Sequence, residues 1–162
     1  MDTNFDNVRT KNRSGVLLGS GPSIKLIKNA ISTEIDVWTF NNFAIHPNIV
    51  PDFYHIEVNW SQPQKMAWLQ SIFEAKKNLY HQTNFLVQVR EYPSYRIFIP
   101  KSLKLLHYGN LKINNPHGTC SLGRLIALMN HIGYETIYMV GIDLYCAEYF
   151  WANYVGIPDF MR

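Results

Sequence analysis

Short apolar runs alternate with helical patterns along the chain, and this alternation is what most constrains the fold. The strand-like runs are residues 15–19, 34–40, 52–58, 84–89 and the buried-strand pattern of 136–145. The segments with near-helical spacing of apolar residues are 23–31, 62–79 and 117–133. Because parallel strands need crossover connections, this order predicts an α/β protein with a Rossmann-like, open, mostly parallel sheet and helices on both faces.

The middle of the chain has a less regular pattern. Residues 43–51 contain two prolines, Pro47 and Pro51, and are predicted to form a loop. Residues 95–100 predict a further extended piece that ends at Pro100.

The length of 162 residues, of which 47% are hydrophobic, is enough for one domain with a sizeable core. We predict a polar N-terminal arm over residues 1–14 and a single α/β domain over residues 15–162. No run reaches the roughly 18 consecutive apolar residues of a membrane-spanning helix. The net charge of +3 is spread along the chain rather than clustered, which does not favour nucleic acid as a partner.

The two cysteines, Cys120 and Cys146, lie far apart and form no Cys-x-x-Cys motif. The first residues lack the apolar segment of a secretory signal. Together these features predict a protein of the reducing cytoplasm. The six histidines show no metal-ligand spacing, so no metal site is predicted.

The most distinctive motif is Gly19-Ser20-Gly21-Pro22-Ser23, between the first strand and the first predicted helix. A loop at this place brings free backbone N–H groups and a helix dipole together, which favours phosphate. The two glycines allow a tight turn and close approach to a ligand, and Pro22 suits a first helical turn. The alternative is a helix-capping turn that binds nothing.

The loop departs from the dinucleotide fingerprint, because Ile24 stands where the third glycine would be. About twenty residues further on, where those proteins carry an acidic residue, this chain has Asn41 and Asn42. NAD and FAD are therefore disfavoured. The Asn41 amide suits a base, a ribose or a phosphate, and the alternative is a turn-forming asparagine.

A second small-residue turn, residues 117–121, includes Gly118 and opens the helical segment that starts near Ser121. Two such loops in one parallel sheet are expected to face each other across a crevice, where a diphosphate or a nucleotide monophosphate could bridge them. The alternative is that Ser121 is simply the N-cap of its helix.

The last strand-like run ends in a carboxylate and an aromatic residue, Asp143 and Tyr145. Asp143 could act as an acid or base, or it could be a turn carboxylate that accepts backbone N–H groups. The aromatic residues that follow, including Tyr149 and Trp151, could stack on a base or sugar or could close the core. His55, at the carboxyl end of a predicted strand, is a further candidate for the crevice.

The runs VLLGSGPSIKLI, WTFNNF and SLGRLIALMNHIGYETIYMVGIDLY resemble the bacterial lipooligosaccharide sialyltransferases over residues 15–150. They are more distantly similar to hydroxymethylpterin pyrophosphokinase-like proteins and motility accessory factors. The resemblance implies a metal-independent inverting glycosyltransferase without a cofactor. Its donor substrate would be CMP-sialic acid, and its acceptor a glycan or lipid-linked oligosaccharide. It also implies that the enzyme acts in the cytoplasm, in peripheral contact with the inner face of the membrane.

The resemblance also implies roles for individual residues. Tyr145 would bind the departing phosphate, and Trp151 occupies the place of the family's second phosphate-binding tyrosine, with Tyr149 the nearest tyrosine. The positions expected to line the nucleotide are Gly19, Ser20, Gly21, Ser23, Asn41, Gly118, Ser121, Tyr149 and Trp151. The family has asparagine where this chain has Ser20.

The family's general-base histidine and lid lie beyond the motif that reads GIDLY, residues 141–145, in this sequence. No histidine follows His131 here. We expect the chain to lack that region, so His55 or Asp143 would have to supply the base. Two other functions stay open: a pterin-type diphosphokinase that uses ATP and Mg²⁺, and a nucleotide-binding module without catalysis. The aromatic C-terminal region in so short a chain is compatible with self-association.

Overall fold

Six parallel strands form one sheet at the centre of the computed structural model. The strands are β1 (Ser14–Leu18), β2 (Ile35–Phe40), β3 (Phe53–His55), β4 (Asn84–Gln88), β5 (Lys104–Tyr108) and β6 (Thr136–Val140). The structure describes residues 5, 8, 10, 12–27, 31–57, 61–109, 120–143, 149, 157 and 158.

The strand order β5-β4-β3-β2-β1-β6 explains where a site can form. The chain adds strands outward from β1 to β5 and then returns to place β6 on the other side of β1. In such open sheets the crevice lies at the carboxyl ends of the strands, near the point where the order reverses. The predicted open, Rossmann-like α/β fold is confirmed, and every described strand pair is parallel.

Helices cover both faces of this sheet. The α-helices are α1 (Pro63–Ala75), α2 (Tyr92–Phe98) and α3 (Ser121–His131). The 3₁₀ helices whose bounds lie within the described residues are Pro22–Leu26, Asn41–Ile45 and Val89–Glu91. Successive strand residues point to opposite faces, so Val16 and Leu18 pack with α1 and α2, whereas Leu17 packs with α3.

An aromatic cluster centred on Trp38 fills the α3 side of the sheet. Trp38 is fully buried, stacks on Phe53 at 4.3 Å and meets Phe5 and Tyr134 edge-on. Phe5, from the predicted polar arm, is itself fully buried in this cluster. Phe5 therefore packs on the domain.

The prediction of an extended piece over residues 95–100 is wrong, because these residues lie in and just after helix α2. Proline occupies the first turn of α2, where a missing N–H costs nothing. Tyr95 and Phe98 are buried and Ile97 is 85% exposed, which is helical and not strand-like periodicity.

Several predicted boundaries also differ from the structure. The helix predicted over residues 23–31 is a 3₁₀ helix, Pro22–Leu26, and residues 28–30 lie outside the described residues. The loop predicted from residue 43 begins inside another 3₁₀ helix, Asn41–Ile45. Helix α1 ends at Ala75 and is followed by turns, so the predicted helix to residue 79 is too long.

Strand β6 was predicted to be buried and is not. Tyr138 and Met139 are 51% and 56% exposed, because within the described residues β6 pairs only with β1. Strand β6 is therefore an apolar strand that is only partly buried by the described residues. No described helix combines the length and the apolar character needed to cross a membrane.

Candidate functional site

Asn41 stands directly after β2, at the carboxyl edge of the sheet, and has an unusual backbone. Its φ of 53° makes it the one non-glycine residue with a positive φ among those described. Asparagine tolerates this left-handed conformation better than most residues, and such outliers concentrate at functional sites. The conformation turns the chain sharply from the strand into the 3₁₀ helix.

Two side chains, the buried Tyr54 and the half-buried Lys76, hold this turn in place. The Tyr54 hydroxyl donates to the Asn41 carbonyl and accepts the Ala44 N–H at 2.8 Å. Lys76 Nζ donates to the carbonyls of Ala44 and His46 at 2.5 and 2.7 Å, which caps the end of the 3₁₀ helix. The position of Asn41 is therefore fixed by contacts from β3 and from the end of α1.

The Asn41 side chain belongs to a ring of hydrogen bonds that joins β2, the end of β3 and the start of α3. We call Asn41, Glu57, Ser121 and Arg124 the polar ring. Asn41 Oδ1 accepts the Glu57 N–H at 3.2 Å, and Asn41 Nδ2 donates to Ser121 Oγ at 3.2 Å. Ser121 Oγ donates to Glu57 Oε2, and the guanidinium of Arg124 lies 2.8 Å from Glu57 Oε1.

The polar ring is partly shielded from water. The side chains of Arg124 and Glu57 are 14% and 35% exposed, so their ion pair is stronger than one on an open surface. Because Cys120 caps α3 by accepting the Gly123 N–H at 3.4 Å, the alternative that Ser121 is the N-cap is wrong. The Ser121 hydroxyl is instead directed to the end of β3.

His55 lies beside the polar ring and is 1% exposed. Its Nε2 is 2.8 Å from the Tyr108 hydroxyl, and its buried Nδ1 has no hydrogen-bond partner among the residues that the structure describes. Burial lowers the pKa of His55 to about 4, with a smaller opposing effect from Glu57. The imidazole is therefore neutral at pH 7 and buried beneath the edge.

The predicted glycine loop packs against the end of β6 and the residues that follow it. Gly19 N–H donates to the Val140 carbonyl at 2.8 Å, and Gly21 N–H donates to the Gly141 carbonyl at 2.7 Å. The Ser23 N–H donates to Asp143 Oδ2 at 2.9 Å. Asp143 thus takes the arrangement of a turn carboxylate that accepts a backbone N–H.

These contacts account for the glycines of the loop. A Cβ on Gly19 would lie 2.3 Å from the Gly141 carbonyl oxygen, and one on Gly21 would lie 2.2 Å from Asp143 Oδ2. Gly141 itself has a φ of 71° and its N–H donates to Ser23 Oγ at 3.0 Å. The close approach that requires glycine here is between two segments of the protein.

The predicted site residues therefore fall into two groups. Asn41 and Ser121 meet in the polar ring, while the glycine loop and Asp143 meet each other across β1 and β6. Ser20, within the glycine loop, is half-buried, and Tyr149, which belongs to neither group, is 48% exposed. The other three predicted positions, Gly118, Tyr145 and Trp151, lie outside the described residues.

Sequence inspection missed Glu57 and Arg124. Glu57 follows the end of β3 by two residues, and Arg124 stands one helical turn after Ser121. A search for charged residues just beyond each strand, and one turn into each following helix, would have found both.

The part of the chain that the structure describes contains no group of three or more His, Cys, Asp or Glu side chains arranged for a metal ion. Comparison with protein-family models, with curated proteins and with solved structures finds no match.

Proposed function

We propose that this chain is a sialyltransferase-like glycosyltransferase, or the nucleotide-binding part of one. Its donor would be CMP-sialic acid or a related nucleotide sugar, and the transfer would modify a cell-surface glycan. One observation carries the proposal: the hydrogen bond between Asn41 and Ser121. These two residues come from separate motifs, and each was expected on its own to contact the nucleotide.

The setting of that contact supports a nucleotide. Asn41 and Ser121 lie at the carboxyl edge of a parallel sheet, which is where ligands bind in this class of fold. Both are polar, neutral and partly exposed, as suits recognition of a base or a ribose. The Arg124 guanidinium adds a positive charge close by, offset by Glu57.

Transfer would proceed by attack of an acceptor hydroxyl on the anomeric carbon of the donor. The bond from that carbon to the phosphate breaks, CMP leaves, and the hydroxyl proton passes to a base. His55 and Asp143 are the expected bases. Because His55 is almost fully buried and Asp143 already accepts the Ser23 N–H, the geometry supports nucleotide binding more strongly than transfer.

A binding experiment tests the proposal. CMP should stabilise the full chain against heat by mass action, and calorimetry should give a saturable isotherm. Asn41→Gly removes the amide but keeps a residue that accepts a positive φ, and we expect it to weaken CMP binding about tenfold. Asn48→Gly, in an exposed loop, is the matched control and should bind normally.

Cys120 gives an independent test of where the nucleotide binds. Its side chain is exposed and precedes Ser121, so alkylation in a Cys146→Ser background reports on this edge. CMP should slow the alkylation of Cys120. Alkylation at an unchanged rate under saturating CMP would show that the nucleotide binds elsewhere.

The same experiments separate the other two functions. Stabilisation by ATP that requires Mg²⁺ would favour a pterin-type diphosphokinase. Binding of CMP-sialic acid without transfer or hydrolysis would favour a non-catalytic module. No response to any cytidine nucleotide would overturn the proposal. With a lipid-linked acceptor, the proposed enzyme would work at the cytoplasmic face of the membrane.

A further inference from the structure

The hydrogen bonds of the polar ring run in one fixed direction. The backbone N–H of Glu57 can only donate, so the Asn41 atom that faces it must be the carbonyl oxygen Oδ1. This orients the amide and directs Nδ2 to Ser121 Oγ, which must accept. The Ser121 proton then goes to the Glu57 carboxylate, which the Arg124 guanidinium holds as an acceptor.

The direction of these bonds decides what the two side chains can still offer to a ligand. Within the described residues, Ser121 Oγ has used its proton and retains one lone pair. Asn41 Nδ2 has used one proton and retains the other. A ligand group that touches Ser121 must therefore donate a hydrogen bond, and one that touches Asn41 Nδ2 must accept one.

We propose that Glu57 is a positioning residue that determines specificity, because it holds Ser121 as a hydrogen-bond acceptor. The site then selects a ligand with a hydroxyl or amine donor at Ser121, such as a ribose hydroxyl or the exocyclic amine of a base. A phosphate oxygen without a proton is disfavoured there. This inference rests on the proposed function of the same site.

Calorimetry with the full chain and a set of CMP analogues tests the role of Glu57. The analogues each lack one donor: the 4-amino group, the 2′-hydroxyl or the 3′-hydroxyl. Wild type should bind one of them about 10- to 100-fold more weakly than CMP, because Ser121 then lacks its partner. In Glu57→Gln the new amide can donate to Ser121 and free the serine proton. We therefore expect the ratio of the two affinities, that for CMP over that for the same analogue, to fall to about threefold or less.

Glu74→Gln is the matched control, since Glu74 is exposed near the end of α1 and, among the described residues, forms an ion pair with the exposed Lys77. It should keep the wild-type ratio. An unchanged ratio in Glu57→Gln, or a wild type that binds all three analogues as well as CMP, would overturn the inference.

A second variant covers the case in which Glu57→Gln does not fold, as judged by circular dichroism. Ser121→Ala leaves the Glu57–Arg124 ion pair in place and should lose discrimination against the same analogue. Retained discrimination in Ser121→Ala would refute the role of Ser121 as an acceptor. Failure of wild type to bind any cytidine nucleotide would instead overturn the proposed function, and the inference with it.

Discussion

Acidification should destabilise this protein through His55, and the size of the effect can be worked out from the structure. His55 is 1% exposed, and its Nε2 forms a hydrogen bond with the Tyr108 hydroxyl. Burial lowers its pKa from 6.5 to about 4, while the nearby Glu57 and Arg124 have smaller and opposite effects. The unfolded chain therefore takes up a proton at a pH where the folded protein does not.

The sign of the pH dependence follows from this difference. Well above pH 6.5 the imidazole is neutral in both states, and the contribution to stability is fully present. As the pH falls, the unfolded state binds the proton first, so the free energy of unfolding decreases until the pH reaches about 4. Between pH 8 and pH 5 this amounts to a loss of about 2 kcal/mol.

Urea unfolding at a series of pH values, followed by the fluorescence of the buried Trp38, measures this loss. His55→Gln retains a partner for Tyr108 but does not titrate. Its free energy of unfolding should therefore fall about 2 kcal/mol less than that of wild type between pH 8 and pH 5. His81→Gln, at an exposed position, should follow wild type. If the wild-type and His55→Gln curves are parallel between pH 4 and pH 6.5, the argument from burial is wrong.

Two further variants test the contacts that shape the edge of the sheet. Gly19→Ala sets a Cβ 2.3 Å from the backbone oxygen of Gly141 and should cost about 1–3 kcal/mol in thermal or urea unfolding, whereas Gly109→Ala, whose Cβ would meet no atom of the described residues within 4 Å, should be close to neutral. Tyr54→Phe leaves a buried N–H and carbonyl of the 3₁₀ turn without their partner and should cost about 1–3 kcal/mol, whereas the exposed Tyr138→Phe should cost little. A Gly19→Ala variant as stable as wild type would contradict the close packing of Gly19 on Gly141. A Tyr54→Phe variant as stable as wild type would contradict the hydrogen bonds of the Tyr54 hydroxyl.

The fold was largely predictable because its signal is local. Each strand of a parallel sheet is a short apolar run, and the segments between strands must cross over, so the order of elements already implies an open α/β sheet. The error at residues 95–100 shows the limit of this signal. A short run such as YRIFIP fits a strand or a buried helix, and only the contacts of Tyr95 and Phe98 with the core decide between them.

The candidate site was only half predictable, because its polar ring joins residues far apart in the chain. Asn41 and Ser121 were found because each follows or precedes a recognisable element. Glu57 and Arg124 carry no motif, and their role appears only when α3 is packed against the end of β3. Sequence periodicity contains no information about that contact.

The glycine loop shows how one motif can serve two different physical demands. Glycine permits close approach, but the sequence does not say what approaches. Here the partner is the last residue of β6 together with the segment after it, which accept the N–H groups of Gly19, Gly21 and Ser23. These N–H groups have carbonyl or carboxylate partners that a phosphate would have to displace. Asn41 and Ser121, in contrast, each retain hydrogen-bonding capacity toward a ligand as far as the described residues are concerned. A nucleotide bound at this edge should therefore depend more on the polar ring than on the loop, and changes in the loop should alter stability before they alter affinity.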